Sequence, residues 1–286
     1  MPELPEVEIV KQSLKRAINH KKIRKVIVKN RNLRFKLPIN FEKTLQDKVV
    51  SNISRLSKYI IIEFKSGLFC IFHLGMSGTV HIIKKKIDKI TNLSFYQYKQ
   101  LPAKHNHIKF IFSNFKIIYN DPRRFGFFKL FKSLDELNIY FKKIGPEPFS
   151  KKFNFFYLYN KIKNKNKNIK NILLDQNIIA GLGNIYVNEI LFYSKVDPKK
   201  KGCEISKKEI KKIIKYSNIV LKIAIKFGGS SIRDFKNTNG DNGSFQKKFK
   251  IYGREGDACS RNNCKGKIIK FFQTNRSTYM CQICQK

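Results

Sequence analysis

The sequence predicts a multidomain α+β protein: an N-terminal antiparallel β-sandwich with a helix at its start, then a helical region, then a small cysteine-rich hairpin. Between Lys22 and about Leu130 the apolar residues form short runs of strand length, whereas after residue 150 they recur at helical spacing. Four of the six cysteines lie after residue 258. With 286 residues, 42% of them hydrophobic, the chain can build two compact domains, each with its own core.

The N-terminal region opens with a helical pattern between residues 3 and 18. Its apolar stripe consists of Val7, Val10, Leu14, Ala17 and Ile18. Prolines at positions 2 and 5 are tolerated in a first helical turn. The strand-length runs that follow are VIV, YIIIEF, LFCIFHL, HIKFIF, FKIIY and FGFFKLF. Turn signals at Ser66-Gly67 and Ser113-Asn114 join neighbouring runs as hairpins, which predicts a mostly antiparallel sandwich or barrel with the helix against it.

Helical patterns dominate the second half of the chain. A stripe from Leu134 to Ile144 ends at the GPEP sequence of residues 145–148, where we expect the linker between domains. Further helices are predicted near 169–176, 184–193 and 206–227. The first two of these meet at the tight turn Gly181-Leu182-Gly183. Helices that meet at a glycine turn offer backbone N–H groups to phosphate, as DNA-binding helix-turn-helix units do.

The charge of the chain is strongly positive. Lys and Arg number 60 against 20 Asp and Glu, which gives a formal net charge of +40 and a pI of about 10.1. Such a field attracts polyanions such as DNA or RNA over a Debye length of about 8–10 Å. The Lys- and Asn-rich run at 161–171 is also what an AT-rich genome would encode. Charge alone therefore leaves nucleic-acid binding open.

The N-terminus has neither the basic region nor the apolar core of a signal peptide, and the chain has no apolar run of about 18 residues. These features predict a soluble, cytoplasmic protein with no membrane partner. In a reducing compartment, clustered cysteines indicate a metal site rather than disulfides.

The cysteine spacing predicts one structural zinc ion per chain. Cys259-x4-Cys264 and Cys281-x2-Cys284 supply four thiolates in two close pairs, which suits tetrahedral Zn²⁺. A protein that fills all four positions leaves none open for catalysis. The first gap is wider than the usual two residues, and the alternative is four cysteines without metal. The residues between the pairs form a basic, aromatic hairpin suited to contact DNA.

Eight segments, in order along the whole chain, resemble those of bacterial formamidopyrimidine-DNA glycosylase. They are MPELPEVE at 1–8, SKYIIIEF at 57–64, HLGMSG at 73–78, NDPRRFG at 120–126, GPEP at 145–148, LLDQNIIAGLGNIYVNEILF at 173–192, GGSSIRDF at 228–235 and RSTYMCQICQK at 276–286. The resemblance implies five regions. These are a catalytic β-sandwich at 1–133, a linker helix at 134–150, a helix-two-turn-helix domain at 151–236, a loop at 237–250 and a zinc finger at 251–286.

The resemblance also implies the activity: a bifunctional glycosylase and abasic-site lyase that excises oxidised purines from double-stranded DNA and nicks the strand by β,δ-elimination. The partner would be duplex DNA that contains 8-oxoguanine, formamidopyrimidines or abasic sites, and the protein would act as a monomer. The chemistry of the chain start agrees. Removal of Met1 would leave Pro2 with a secondary amine, whose reference pKa of about 7.7–8.0 leaves more neutral amine than Lys has. Attack on the sugar would give an iminium that permits elimination.

By the same resemblance, Glu3 is the acid/base beside Pro2, and Glu6 supports it. The alternative is that the acidic residues only favour the positive end of a helix that the prolines start. The resemblance makes Lys58 the proton donor for β-elimination and a phosphate contact, whereas a lysine at a strand end can also simply reach solvent. Arg276 would assist δ-elimination and bind phosphate.

The remaining expected residues contact DNA. Met76, Arg123 and Phe125 match the family's void-filling triad, which replaces the extruded base in the stack. Met76 could instead pack in the core. His105, Lys165 and Asn184 match contacts to the DNA backbone. The pair His105 and His107 could alternatively bind metal. The loop over the flipped base is expected within 237–249.

Two other functions are compatible with parts of the sequence. Endonuclease VIII shares the fold and the N-terminal proline but prefers oxidised pyrimidines, whereas MPELPEVE and Phe125 after the arginine pair resemble the purine-specific branch. A zinc-ribbon protein that binds DNA or RNA without catalysis would account for the charge and the cysteines alone. It would not require a free amine at Pro2.

Overall fold

A computed structural model describes residues 1–84, 87–92, 103–230 and 244–286. The chain forms two compact units. The first contains Met1–Lys142 and Ile225–Gln246, and the second contains Lys143–Ala224 and Lys247–Lys286. No helix in the described ranges has the length and apolar character needed to cross a membrane.

The first unit is a sandwich of two antiparallel sheets with short helices. Its helices are α1 (Leu4–Ile18), α2 (Phe41–Leu45) and α3 (Leu134–Phe141). Its strands are β1 (Lys25–Val28), β2 (Val50–Leu56), β3 (Tyr59–Phe64), β4 (Phe69–His73), β5 (Thr79–Lys84), β6 (Ile87–Asn92), β7 (Asn106–Ile111), β8 (Phe115–Asn120) and β9 (Phe127–Phe131). The sheet orders are β1-β7-β8-β5-β6 and β2-β3-β4-β9. Every strand pair is antiparallel.

One apolar core joins both sheets to α1. The stripe predicted from the sequence, with Val7, Val10 and Leu14, is buried together with Phe72 from one sheet and Ile117 from the other. The predicted α+β fold, with a helix packed on an antiparallel sandwich, is therefore confirmed. Both predicted hairpin turns are also present, because residues 65–68 connect β3 to β4 and residues 112–114 connect β7 to β8.

The second unit is helical and ends in a two-stranded hairpin. It contains α4 (Phe155–Ile162), α5 (Ile169–Leu173), α6 (Asn184–Ser194), most of α7 (Lys207–Lys226), β10 (Ile268–Gln273) and β11 (Arg276–Cys281). The helices predicted near 169, 184 and 206 are confirmed as α5, α6 and α7. The sequence pattern did not predict α4, which Asn154 caps by accepting a hydrogen bond from the backbone N–H of Tyr157.

Two buried charged side chains tie the C-terminal segment to these helices. Glu189 of α6 is fully buried, and its carboxylate accepts the backbone N–H groups of Lys250, Ile251 and Tyr252 at 2.9–3.1 Å. Lys170 of α5 is also fully buried, and its Nζ donates to the Ser277 carbonyl at 2.9 Å and to Thr278 Oγ1 at 2.7 Å. The hairpin is thus held to α5, and the segment that precedes it to α6, through hydrogen bonds to charged groups, which are stronger than those between neutral groups.

The position of Lys170 changes its protonation. Burial, and secondarily the charge of Arg276, lower the pKa of Lys170 to about 8. An unfolded lysine titrates near about 10.4. The folded protein therefore binds fewer protons at Lys170 than the unfolded chain between these two values, so this residue stabilises the fold progressively as pH rises through that window.

We expect the substitution Lys170→Met to destabilise the protein more at pH 10 than at pH 7, since only the wild type gains stability as Lys170 loses its proton. The measurement is the difference in melting temperature between the two proteins across this range. Lys207→Met, on the exposed start of α7, controls for the loss of one positive charge. A difference for Lys170→Met that does not change with pH would show that the folded state does not lower the pKa.

Candidate active site

The start of the chain is held in place by a buried carboxylate. Glu6, which is 1% exposed, accepts the backbone N–H of Glu3 at Oε2 over 2.9 Å. Its Oε1 accepts the backbone N–H and the hydroxyl of Ser230 at 2.7 and 3.0 Å. Gly229 passes so close that a Cβ there would lie 3.1 Å from Glu6 Oε1, and its φ of +80° favours glycine. Glu6 therefore does more than favour a helix start.

Ionisable groups converge on the first residues. Glu3 and Lys58 are 3% and 5% exposed, and Pro2 is buried. Burial is the largest cause that lowers the pKa of the Met1 α-amino group. The negative charges of Glu3 and Glu6 oppose this shift, while the positive charges of Lys58 and Arg123 add to it. The structure thus brings Glu3, Glu6 and Lys58 around the chain start, and with them Arg123, which the sequence predicts only as a member of the void-filling triad.

In the described chain Met1 precedes Pro2, so the Pro2 nitrogen is part of a peptide bond. Loss of Met1 would move the terminal amine to Pro2, within the same group of charges. An amine whose pKa is lowered is neutral, and therefore nucleophilic, in a larger fraction of molecules near pH 7.

Lys58 occupies a tight turn between β2 and β3, directly after Ser57, whose φ is +56°. Its neighbour His73 was not assigned a role from the sequence, although it lies in the HLGMSG segment. Burial, followed by the charges of Lys58 and Arg34, lowers the pKa of His73 to about 4. His73 is therefore neutral near pH 7, and its Nδ1 accepts the N–H of Gly75 at 2.9 Å. Its Nε2 then carries the proton.

Met76, Arg123 and Phe125 lie on two loops, at residues 74–78 and 121–126, that touch each other. Phe125 is 43% exposed, and the Arg123 guanidinium lies 4.6 Å from the centre of its ring. Met76 is only half-buried, which does not favour a core role. Gly75 has a φ of +64°, and the backbone of Phe125 occupies the space that a side chain at position 75 would need.

His105 ends a short turn before β7 and is half-buried, whereas His107 is buried. His107 Nε2 donates to the Asp121 carbonyl at 2.8 Å. Within the described residues, the C-terminal cysteines are the one group of His, Cys, Asp and Glu that could hold a metal ion. The alternative of a metal site at the two histidines is therefore not supported.

In the second unit, Asn184 and Arg276 approach each other through Ser277. Asn184 begins α6 and donates from Nδ2 to the Ser277 carbonyl at 3.0 Å, while Arg276 is exposed at the start of β11. A hollow of about 260 Å³ beside them is lined by Lys167, Asn171, Leu174, Asp175, Thr274 and Arg276. Lys165 is exposed but does not line this hollow, whereas Lys167 does. The amide, the guanidinium and the lysine are groups that bind phosphate.

The four predicted cysteines meet at one point. Their sulfur atoms lie within 4.8 Å of one another, with separations of 3.8 Å for Cys259–Cys284, 3.7 Å for Cys264–Cys281 and 3.2 Å for Cys264–Cys284. Four thiolates about 2.3 Å from a tetrahedral ion would be about 3.8 Å apart. The donor set therefore fits a closed metal site.

The wide first gap does not displace Cys264 from this cluster. Asn263 has a φ of +62°, and Cys264 N–H donates to the Arg261 carbonyl at 3.2 Å, so the additional residues form a turn. Arg261 lies 4.5 Å from the centre of the Phe192 ring and donates to the Phe192 carbonyl at the end of α6. The longer loop is thus fastened to α6.

The segment expected to cover a flipped base, 237–249, lies outside the described residues at 237–243. In its described part, Phe245–Lys248 form a single helical turn and Phe245 is buried.

Comparison with known proteins agrees with this arrangement. Residues 1–128 match the formamidopyrimidine-DNA glycosylase N-terminal domain, and residues 144–236 match the formamidopyrimidine-DNA glycosylase H2TH domain. Formamidopyrimidine-DNA glycosylases of Afipia carboxidovorans and Roseobacter denitrificans are 37% and 38% identical, with 100% of both chains covered.

Solved structures of the same family are also similar to the chain along its whole length. The Lactococcus lactis enzyme (Fpg) in complex with DNA that contains an abasic site is 34% identical, covers 99% of each chain and has a TM-score of 0.86. A variant of the same enzyme with Fapy-dG-containing DNA covers 100% of each chain with a TM-score of 0.88. Two family domains match residues 1–128 and 144–236, and relatives match over the full length, so the protein belongs to the formamidopyrimidine-DNA glycosylase family.

Proposed function

We propose that the protein is a DNA glycosylase and abasic-site lyase of base excision repair that removes oxidised purines from duplex DNA and cuts the strand. The observation that carries this proposal is the convergence of Glu3, Glu6, Lys58 and Arg123 on the start of the chain. A DNA-binding protein without catalysis would have no use for a buried amine among paired carboxylates and a lysine. The protein acts as a monomer on chromosomal DNA in the cytoplasm.

Pro2 supplies the nucleophile once Met1 has been removed. Its nitrogen forms a bond to C1′ of the damaged nucleoside, the bond between C1′ and the base breaks, and the base leaves with a proton. Glu3, buried beside the chain start, donates a proton to the sugar ring oxygen as the ring opens to an iminium. Glu6 holds the backbone of Glu3 and so positions both groups.

Strand cleavage uses the acidity that the iminium gives to the C2′ proton. Loss of that proton expels the 3′ phosphate, and Lys58 provides the nearby cation that transfers protons and contacts phosphate. A second elimination expels the 5′ phosphate, with Arg276 bound to the departing group. Hydrolysis of the remaining imine regenerates the amine.

Recognition uses the exposed side chains of both units. Met76 and Phe125 fill the space left by the extruded base, and Arg123 hydrogen-bonds the base opposite. His105, Lys165 and Asn184 contact the DNA backbone. The structure favours Lys167 as an additional phosphate contact, because it lines the hollow beside Arg276.

The metal that we assign to the cysteine cluster is zinc, one ion per chain. Four thiolates with tetrahedral separations are typical of structural zinc sites, which leave no position for substrate. Cys259, Cys264, Cys281 and Cys284 would hold the ion, and the ion would hold the hairpin that carries Arg276.

The first prediction concerns the nucleophile. Borohydride should reduce the iminium and link the wild-type protein to duplex DNA that carries 8-oxoguanine opposite cytosine. Adduct formation should fall by about 100-fold in Pro2→Gly, the scale expected when the position of a reacting group is lost. Gel electrophoresis measures the adduct and the cut ends, and mass spectrometry checks that Met1 is absent.

Pro5→Ala is the matched control, since it also removes a proline near the start of α1 but leaves the residue that carries the terminal amine unchanged. A parallel duplex carries an oxidised pyrimidine. Adduct with the pyrimidine alone would assign the protein to the specificity of endonuclease VIII. Binding of DNA by the wild type without adduct would refute the catalytic proposal.

The second prediction concerns the metal. The purified protein should contain about one zinc per chain, and Cys264→Ser should lower both the zinc content and the melting temperature, because a small hairpin has little core of its own. Cys203→Ser, at an exposed cysteine outside the cluster, should keep the zinc. Elemental analysis and thermal unfolding measure the two effects. Full activity and stability of metal-free protein would contradict a structural role.

A further inference from the structure

The two loops that carry Met76, Arg123 and Phe125 share one buried carboxylate. Asp121 is 0% exposed and follows β8, at the start of the loop 121–126. Its Oδ1 accepts the Ser77 hydroxyl at 2.5 Å, and its Oδ2 accepts the Tyr119 hydroxyl at 3.0 Å and the Gly126 N–H at 2.8 Å. Both oxygens are therefore bonded to groups of the two loops or of the core.

These bonds fix the backbone next to all three side chains of the triad. Ser77 directly follows Met76, and Gly126 directly follows Phe125. The Ser77 oxygen, which donates to Asp121, also accepts the backbone N–H of Arg123 at 3.1 Å. One carboxylate thus fixes the backbone of both loops at the place where they touch.

The main chain of Asp121 extends this network to the histidines. Its N–H donates to the His105 carbonyl at 3.0 Å, and its carbonyl accepts from His107 Nε2 at 2.8 Å and from the Arg124 N–H at 3.2 Å. Arg124 has a φ of +56°, a strained conformation for a residue with a side chain. Such strain persists where surrounding contacts determine the backbone, as they do here.

Packing prevents the loops from sliding past each other. The Tyr119 hydroxyl lies between Gly78 and Gly126, and a Cβ at Gly78 would lie 2.6 Å from it. A Cβ at Gly126 would approach the same oxygen even more closely. Burial, together with the charge of Asp121 and the hydrogen bond to it, raises the pKa of Tyr119 well above its usual value. The hydroxyl therefore keeps its proton and donates a hydrogen bond to Asp121.

We propose that Asp121 is the positioning residue for recognition: it holds the loops at 74–78 and 121–126 as one rigid wedge, so that Met76, Arg123 and Phe125 enter the DNA stack together. This inference rests on the proposed function. Burial of a carboxylate raises the free energy of the fold unless its oxygens are hydrogen-bonded. Separation of the two loops would break these hydrogen bonds and is therefore unfavourable.

The variant Asp121→Asn keeps the shape of the side chain but replaces one acceptor oxygen with an amide that donates. If that amide faces the Gly126 N–H, two donors oppose each other, and if it faces the Ser77 hydroxyl, the hydroxyl must accept instead of donate. In both cases the charge-assisted bonds to the two loops are lost. We expect kcat/KM for 8-oxoguanine opposite cytosine in duplex DNA to fall by about 100-fold, the scale of a misplaced reacting or recognition group. Lyase activity on a single-stranded abasic site should change far less, because there is no stack to open.

The informative quantity is the ratio of duplex glycosylase activity to single-strand lyase activity. A second readout is the fluorescence of 2-aminopurine placed beside the lesion, whose rise on unstacking should be smaller and slower in Asp121→Asn. Ser77→Ala removes the bonds of the Ser77 hydroxyl to Asp121 and to the Arg123 N–H, and Tyr119→Phe removes one bond to Asp121. Both keep the carboxylate, so they remain usable if Asp121→Asn does not fold. Because Ser77 acts through Asp121, the variant that combines Asp121→Asn with Ser77→Ala should lose less activity than the sum of the losses in the two single variants.

Thr79→Val is the matched control for loss of stability. Thr79 is also fully buried at this end of the sheet, and its hydroxyl contacts His81 and the Asn120 carbonyl instead of the loops. It should lower the melting temperature without changing the activity ratio. An unchanged ratio in the Asp121 and Ser77 variants, or an equal change in Thr79→Val, would overturn the assignment. Absence of a borohydride adduct in the wild type would instead refute the proposed function itself.

Discussion

The bonds of Glu6 to Glu3 and Ser230 are the constraint on which the first unit depends. The first residues of a chain are usually poorly ordered unless something ties them down, and the proposed nucleophile at Pro2 requires a fixed position. A buried carboxylate achieves this by accepting a backbone N–H from its own helix start and two donors from residue 230. The first residues of the chain are thereby joined to a segment far away in sequence. This holds the ionisable groups around them in place.

The same device recurs where segments of one unit must stay together. Asp121 joins two loops, and Glu189 accepts three consecutive backbone N–H groups at 250–252. The chain has 20 acidic residues against 60 basic ones, and several of the few acidic groups are buried at these joints. Acidic side chains thus stabilise the interior, while the exposed charge is left mainly positive. The positive exposed charge attracts polyanions such as DNA.

Much of this arrangement could be predicted from the sequence. Strand-length runs, hairpin turns and the stripe of α1 lead to the sandwich because apolar periodicity reports which face is buried. Cysteine spacing leads to the metal site for a similar reason, since ligand pairs must lie close together. The resemblance supplied the site residues. The structure brings Glu3, Glu6 and Lys58 to the chain start, whereas Lys165 lies outside the hollow beside Arg276. Their catalytic and binding roles remain proposals.

Other features could not be predicted because they depend on contacts distant in sequence. Nothing local distinguishes Lys170 from the many exposed lysines around it, or Glu189 from a surface glutamate, and neither partner lies nearby in the chain. The sequence pattern did not indicate α4, because its aromatic residues adjoin a Lys- and Asn-rich run in which apolar residues do not recur at helical spacing.

The burial of Pro2 next to an exposed Met1 could not be predicted from the sequence either, and it has a consequence for maturation. If Pro2 is the nucleophile, the translated chain is an inactive precursor. Removal of that single residue, Met1, then decides whether the amine among these ionisable groups can react.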